Sequence, residues 1–345
     1  MGVYFIEFPK LGIHLNISPV AFSIGSISVY WYGIIIAGAI MIALSLALKE
    51  TKKFGYTEDD IIDMFLIALP VSIIFARLFF VVFTWESYKN DFLGIFKIWK
   101  GGLAIYGAVI GAVLSVFIYT RRKKMNMLDL LDFACVYLPL AQAIGRWGNF
   151  TNQELYGKNT DLPWGMTGNI IQTFPAQGVD GTKLVHPTFL YESVLNLIVF
   201  AILLRLRKNR KVKGTVFSSY LMLYSFVRFL MEFLRTDEFG IGDIRYNQVF
   251  ALLVFVGALF WFIYLNRRKA VQSQESPESG TAFGGLENIE EERSEESEET
   301  EMTDDPAPVE AKEAPKPSEA EALKTEEPHP EPSDQSSDEE RAIDE

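Results

Sequence analysis

The segment GRWGNFTNQELYG, Gly145–Gly157, gathers Arg146, Asn149, Asn152, Gln153 and Glu154 directly after the apolar run YLPLAQAI. Charged side chains at membrane depth cost roughly 2.5–3.5 kcal/mol each on insertion scales, so they persist where they face a partner or a wet cavity. A second set lies in YSFVRFLMEFLR, where Tyr224, Arg228, Glu232 and Arg235 are spaced to share one helix face. A third, HPTFLYE, runs from His186 to Glu192. Guanidinium is permanently charged and grips phosphate oxygens in a two-pronged fork, so Arg146 and Arg228 read as a clamp for a lipid phosphate. His186 titrates near neutrality and is a candidate proton acceptor, or a structural hydrogen-bond donor. Glu232, four residues after Arg228, is also placed to be its ion-pair partner. The polar residues after Gly145 would equally serve to cap a helix end.

These residues need elements that hold them at one level of a membrane. The chain has 345 residues, 49% of them hydrophobic, in long runs. Spanning helices are expected at Ile27–Leu48, Ile61–Phe83, Gly102–Tyr119, Leu130–Ile144, Thr188–Leu204, Val216–Leu234 and Val249–Leu265, each near the length that crosses about 30 Å of hydrocarbon. Gly107 and Gly111 give the third a face for close helix packing. The loops after spans one, three, five and seven hold sixteen Lys/Arg beside helix ends, which assigns them to the cytoplasm. The N-terminus and a head at about 146–187 then face outward. The fold class expected is an all-α polytopic membrane protein with seven transmembrane helices, a small extracytoplasmic head and a disordered acidic C-terminal tail. Tyr32, near the start of span one, reaches the level of the head.

Charge divides the chain. Residues 1–269 hold 27 Lys/Arg against 18 Asp/Glu, a net of +9, and read as the membrane domain; residues 270–345 hold 5 against 26, a net of −21. The tail is rich in Glu, Ser, Pro and Ala and cannot bury enough apolar surface to offset its ordering entropy, so it is expected to be disordered in the cytoplasm. Cys135 is a lone cysteine inside an apolar run and reads as a small buried hydrophobe. With three histidines and no Cys/His cluster at ligand spacing, no metal and no organic cofactor is implied. No nucleic-acid partner is expected.

GRWGNFTNQELYG closely resembles the signature of the bacterial prolipoprotein diacylglyceryl transferases. WYG at Trp31–Gly33, GGLAIYGAVIG at Gly101–Gly111, HPTFLYE and YSFVRFLMEFLR resemble further blocks of that family, and together they cover roughly residues 20–265. The resemblance implies a seven-span enzyme of the bacterial plasma membrane. Its reaction would move the sn-1,2-diacylglyceryl group of phosphatidylglycerol to the lipobox cysteine of a prolipoprotein, forming a thioether and releasing glycerol 1-phosphate. Position by position, Arg146, Asn149, Glu154 and Gly157 belong to the signature, and Tyr32, Tyr224, Arg228 and Glu232 match other functional positions. Lys100 stands where some relatives carry a histidine proposed as general base. Glu154, Glu232, His186 and a tyrosine therefore remain as candidate bases, since the thiolate is the nucleophile. Two other readings use the same residues differently: an anionic-lipid transporter would form no thioether, and a scaffold acting through its tail would lose function with residues 270–345. Another phospholipid-handling transferase is the nearest enzymatic alternative.

Overall fold

A computed structural model describes residues 4–25, 27–236, 240–241 and 244–274. The chain divides into two units, Met1–Pro277 and Glu278–Glu345. The acidic tail from residue 275 on lies outside the described residues, as do Asp237, Glu238 and Asp243, and its first residues continue α10 to Gln274. Four short strands, β1 (Ile6–Phe8), β2 (Ile13–Leu15), β3 (Val20–Ile24) and β4 (Ile27–Tyr30), precede the first long helix, α1 (Trp31–Glu50). Next come α2 (Glu58–Phe83), the single turn α3 (Trp85–Tyr88), α4 (Ile105–Arg122), α5 (Met127–Ala134) and α6 (Tyr137–Asn152). Strand β5 (Thr167–Gly168) and α7 (Asn169–Thr173) lead to α8 (Thr188–Lys208) and α9 (Thr215–Glu232). A small pair, β6 (Gly240–Ile241) and β7 (Ile244–Arg245), leads into α10 (Tyr246–Gln274).

Among the described residues, six helical segments are long and apolar enough to cross a membrane: 31–54, 58–83, 105–122, 127–152, 188–208 and 246–268. The protein is a helical, polytopic membrane protein. Helix α9 forms where a seventh span was expected, but Ser218, Ser219, Ser225, Arg228 and Glu232 interrupt its apolar run, and it is not one of the six. Span one starts later than its hydropathy suggests, because Ile27–Tyr30 pairs with Val20–Ile24 as an antiparallel hairpin. The fourth segment is two helices. Pro139 has no N–H to return to the carbonyl four residues back, and the chain turns at Cys135 and Val136 between α5 and α6. Cys135 is buried there.

Packing follows the small residues. A side chain at Gly107 would sit 2.3 Å from the Phe75 carbonyl oxygen, so only glycine lets α4 approach α2 this closely. Helix α6 lies against α1 and α8, and α9 against α8 and α10. Arg77 fixes the connection from α3 to α4. Its guanidinium donates to the carbonyls of Ile95 at 2.7 Å, Gly94 at 2.7 Å, Gly101 at 2.8 Å and Gly102 at 2.9 Å. Four donations from a rigid fork hold Arg77 where an unpaired charge could not stay.

The basic runs gather at one end of the bundle. Arg207 pairs with Glu50 and donates to the Tyr137 hydroxyl at 3.1 Å. Arg210 reaches Asp129 at 2.8 Å, and Lys123 reaches Asp60 at 3.6 Å. Asp132, fully buried, accepts from the backbone of Gly214 and Phe217, both at 2.7 Å, and from Arg210 at 3.1 Å. It thereby holds the start of α9 on α5. Removing one partner of a buried charge cluster is far more damaging than replacing the whole cluster. Asp132→Ala should lower the stability of the purified protein by about 3 kcal/mol, read as a fall in the thermal midpoint, with Asp132→Asn losing less.

Candidate active site

At the opposite end the last two turns of α6 carry the signature. Gly145–Asn152 is helix, so the head begins at Gln153 rather than at Arg146. Gln153 ends the helix with φ 51°, in the left-handed region, a conformation that needs compensation in a residue other than glycine. Its buried amide supplies that compensation. Nε2 donates to the Phe5 carbonyl at 3.0 Å and to Asn169 Oδ1 at 3.1 Å, and Oε1 accepts from the Ile170 backbone at 2.9 Å. The site helix is thus tied to the head by one side chain.

The head has a core of its own. Strand β1 pairs with β2 and with β5, and Ile6, Phe8, Tyr156, Met166, Ile171 and Val185 pack with Phe150 of α6 and Phe189 of α8. The N-terminal residues are therefore part of the head and not a separate surface segment. Two glycines of the signature bring α1 close: a side chain at Gly148 would meet the Tyr32 ring at 2.8 Å, and one at Gly145 would meet Ile36 at 3.0 Å. Tyr32 is held against the signature by that fit.

Charges converge on Glu192 of α8, which is buried. Arg146 pairs with its Oε2. Its Oε1 lies 3.8 Å from Arg235 and 4.0 Å from Arg228. Arg228 also lies 3.4 Å from Glu232 Oε2, one turn on in α9. Arg146 Nη1 donates to Asn149 Oδ1 at 3.3 Å, and Asn149 Nδ2 donates to Glu154 Oε1 at 2.8 Å. Arg245, from β7, donates to the carbonyl of Arg235 at 2.9 Å and steadies the end of α9. Arg228 Nη1 and both carboxylate oxygens of Glu232 are buried with no hydrogen-bond partner, although Glu232 is 1% exposed. Buried groups of this kind are rare unless something absent completes them.

The structure thus brings Arg146, Asn149, Glu154, Arg228 and Glu232 into one charge network. Tyr224 stacks on Tyr220 at 5.8 Å, one turn from Arg228. His186 stands apart. Its Nδ1 meets the Tyr191 hydroxyl at 3.2 Å, and that oxygen accepts from Trp164 Nε1 at 2.6 Å. Accepting from the indole, the Tyr191 hydroxyl keeps its proton to donate to a neutral imidazole. Burial also pushes the His186 imidazole below its usual range. Gly157 is where three strands of chain meet. It donates to the His186 carbonyl at 2.9 Å, and a side chain there would lie 2.8 Å from the Leu234 carbonyl oxygen. Lys100 closes a single helical turn, Ile98–Lys100, and its side chain lies outside the described part. Among the described residues no group of three His, Cys, Asp or Glu side chains could hold a metal.

Glu192 is the residue whose importance sequence reasoning understated. Its signal was present, a carboxylate inside an apolar span, but its three partners come from two distant stretches of chain. Gln153 and Arg245 carried no such signal.

Two consequences can be measured. Gly157→Ala forces Leu234 and His186 apart and should destabilise the head by about 1–3 kcal/mol, seen as a lower thermal midpoint. The lowered His186 pKa means the unfolded chain binds a proton that the folded one refuses. Stability is therefore complete above the ordinary imidazole pKa and falls as pH drops through it towards the lower folded value. His186→Gln should flatten that part of the melting-temperature profile between neutral and mildly acidic pH.

The sequence also matches known proteins. The family model described as prolipoprotein diacylglyceryl transferase matches residues 19–264. The phosphatidylglycerol–prolipoprotein diacylglyceryl transferase of Clostridioides difficile (strain 630) is 43% identical over 249 residues, 72% of this chain and 96% of the relative. That of Listeria monocytogenes serotype 4a (strain HCC23) is 46% identical over 250 residues, 72% of this chain and 90% of the relative. That of Ligilactobacillus salivarius (strain UCC118) is 42% identical over 251 residues, 72% of this chain and 93% of the relative. A signature helix whose arginine meets two more guanidinium groups on one buried carboxylate is thus found in a chain that belongs to the prolipoprotein diacylglyceryl transferase family.

Proposed function

We propose that the protein transfers the sn-1,2-diacylglyceryl group of phosphatidylglycerol to the lipobox cysteine of a prolipoprotein at the cluster around Glu192. The observation that carries this reading is the convergence of Arg146, Arg228 and Arg235 on one carboxylate, with Arg228 Nη1 left without a hydrogen-bond partner. Neither Glu192 nor Glu232 satisfies Arg228 Nη1, which is left as a buried donor at that point. The phosphodiester of the lipid supplies the missing acceptor, and Arg146 and Arg228 grip it.

In the transfer, the cysteine sulfur bonds to the glycerol carbon that carries the phosphate. The carbon–oxygen bond to phosphate breaks, and glycerol 1-phosphate leaves with the bonding pair. Negative charge on the phosphate grows as it departs, and guanidinium groups already in place stabilise it most at that moment. The thiol proton passes to a carboxylate. Glu154 is exposed at the mouth of the site and is oriented by Asn149, whereas Glu232 is buried beside Arg228. Glu154 is thus the carboxylate that an arriving thiol meets first. Tyr32 and Asn149 border the headgroup, Tyr224 lies beneath Arg228, and Gly157 and His186 hold the head in register.

The basic runs after α1, α4 and α8, gathered at one end, support a cytoplasmic position for that end and an outer position for the head. A seven-span path, with α9 packed against α8 and α10, then carries the N-terminus outside and the tail inside. Arg146→Ala and Arg228→Ala should each lower kcat/KM by roughly a hundredfold or more, measured as thioether product from phosphatidylglycerol and a lipobox peptide. Full turnover by either variant would end the clamp reading, and turnover of a Ser lipobox peptide would end the thiol reading.

A further inference from the structure

Below the charge cluster the interior does not become apolar at once. Helices α6 and α8 run antiparallel with a register that several contacts fix. The Phe150 and Phe189 rings lie 4.6 Å apart, Trp147 Nε1 donates to Ser193 Oγ at 3.3 Å, and Arg146 pairs with Glu192. Further down, Cys135 and Val136 share a core cluster with Val199 and Leu203. The same register places Gln142, four residues before Arg146, at the level of Asn196, four residues after Glu192.

Asn196 is 1% exposed, and neither its amide nitrogen nor its amide oxygen has a hydrogen-bond partner. Gln142 donates from Nε2 to the Tyr220 hydroxyl at 3.1 Å, while its Oε1 is buried and unpartnered. Below this level the buried face of α8 turns apolar, with Val199 and Leu203. A primary amide carries two N–H donors and a carbonyl acceptor, and hydrocarbon satisfies none of them. Alanine or leucine would fill the position without that penalty.

We infer that Asn196, with Gln142 beside it, receives an acyl ester carbonyl of the lipid donor one helical turn below the guanidinium groups. The inference rests on the phospholipid reading above. An ester carbonyl offers only acceptor lone pairs and suits the unpaired Asn196 Nδ2. One helical turn advances about 5.4 Å, and the glycerol backbone carries the ester carbonyls a few bonds below the phosphodiester, towards the hydrocarbon. A lipid whose phosphate meets Arg146 and Arg228 therefore presents an ester at the depth of Asn196. The pairing makes the site a reader of ester-linked lipids.

The test compares diester phosphatidylglycerol with its diether analogue, which keeps the headgroup and chains and lacks the carbonyls. Equilibrium binding of short-chain forms to the full-length protein in micelles needs no turnover. The wild-type protein should bind the diester roughly five- to tenfold more tightly, the worth of one hydrogen bond. Asn196→Ala should reduce that preference to within about twofold and raise KM for the diester by the same factor, with kcat at saturating lipid unchanged. Asn196→Ser keeps a hydroxyl donor and should recover part of the preference, which serves if the alanine variant does not fold. Equal affinity of the wild-type protein for both lipids would overturn the inference, as would an alanine variant weakened equally towards both. A retained ester preference without thioether product would instead count against the reaction proposed above.

Discussion

Everything at the head end of this bundle depends on keeping one buried carboxylate, Glu192, among three guanidinium groups. An isolated carboxylate or an isolated arginine at that depth would be driven out or neutralised. Together they hold each other, but loosely. Only Arg146 is in direct contact, while Arg228 and Arg235 stand 3.8–4.0 Å away. A tighter cage would be a structural ion pair and nothing more. The looser one leaves Arg228 Nη1 unsatisfied, which is the condition under which an anion gains by entering.

The surrounding architecture serves that arrangement. Glycines at 145 and 148 let α1 lie close enough for Tyr32 to face the signature. Gln153 locks the end of α6 onto β1 and α7, so Arg146 is carried on a helix that cannot fray. At the far end, Asp132 and Arg207 tie α5, α8 and α9 together. Polar groups satisfied twice or three times over frame a site whose own polar groups are left partly unsatisfied. Precision at the unsatisfied end needs rigidity at the other.

Much of this was legible in the sequence. Lipid-crossing runs, the glycine face of α4 and the clustering of Arg146 with Arg228 and Glu232 follow from periodicity and from the expense of charge in hydrocarbon. Boundaries were harder. Ile27–Tyr30 is apolar enough for a span yet is held as a strand by its hairpin partner. The signature reads as a polar loop, but it continues α6 to Asn152 because its small residues pack against α1. The partners of Glu192 were not legible for a different reason. Two of its partners lie in and just after α9 and one in α6, and sequence spacing relates residues only within an element. The N-terminal strand was missed likewise, since its pairing with Thr167–Gly168 joins stretches that lie on either side of α1 to α6 in sequence.

The most direct measurement is a structure of the protein trapped with a non-hydrolysable phosphatidylglycerol analogue. The phosphorus should lie between Arg146 and Arg228, with Arg228 Nη1 donating to it and Glu192 still in contact with Arg146. A headgroup seated away from both arginines, with their ion pairs to Glu192 unchanged, would contradict the account.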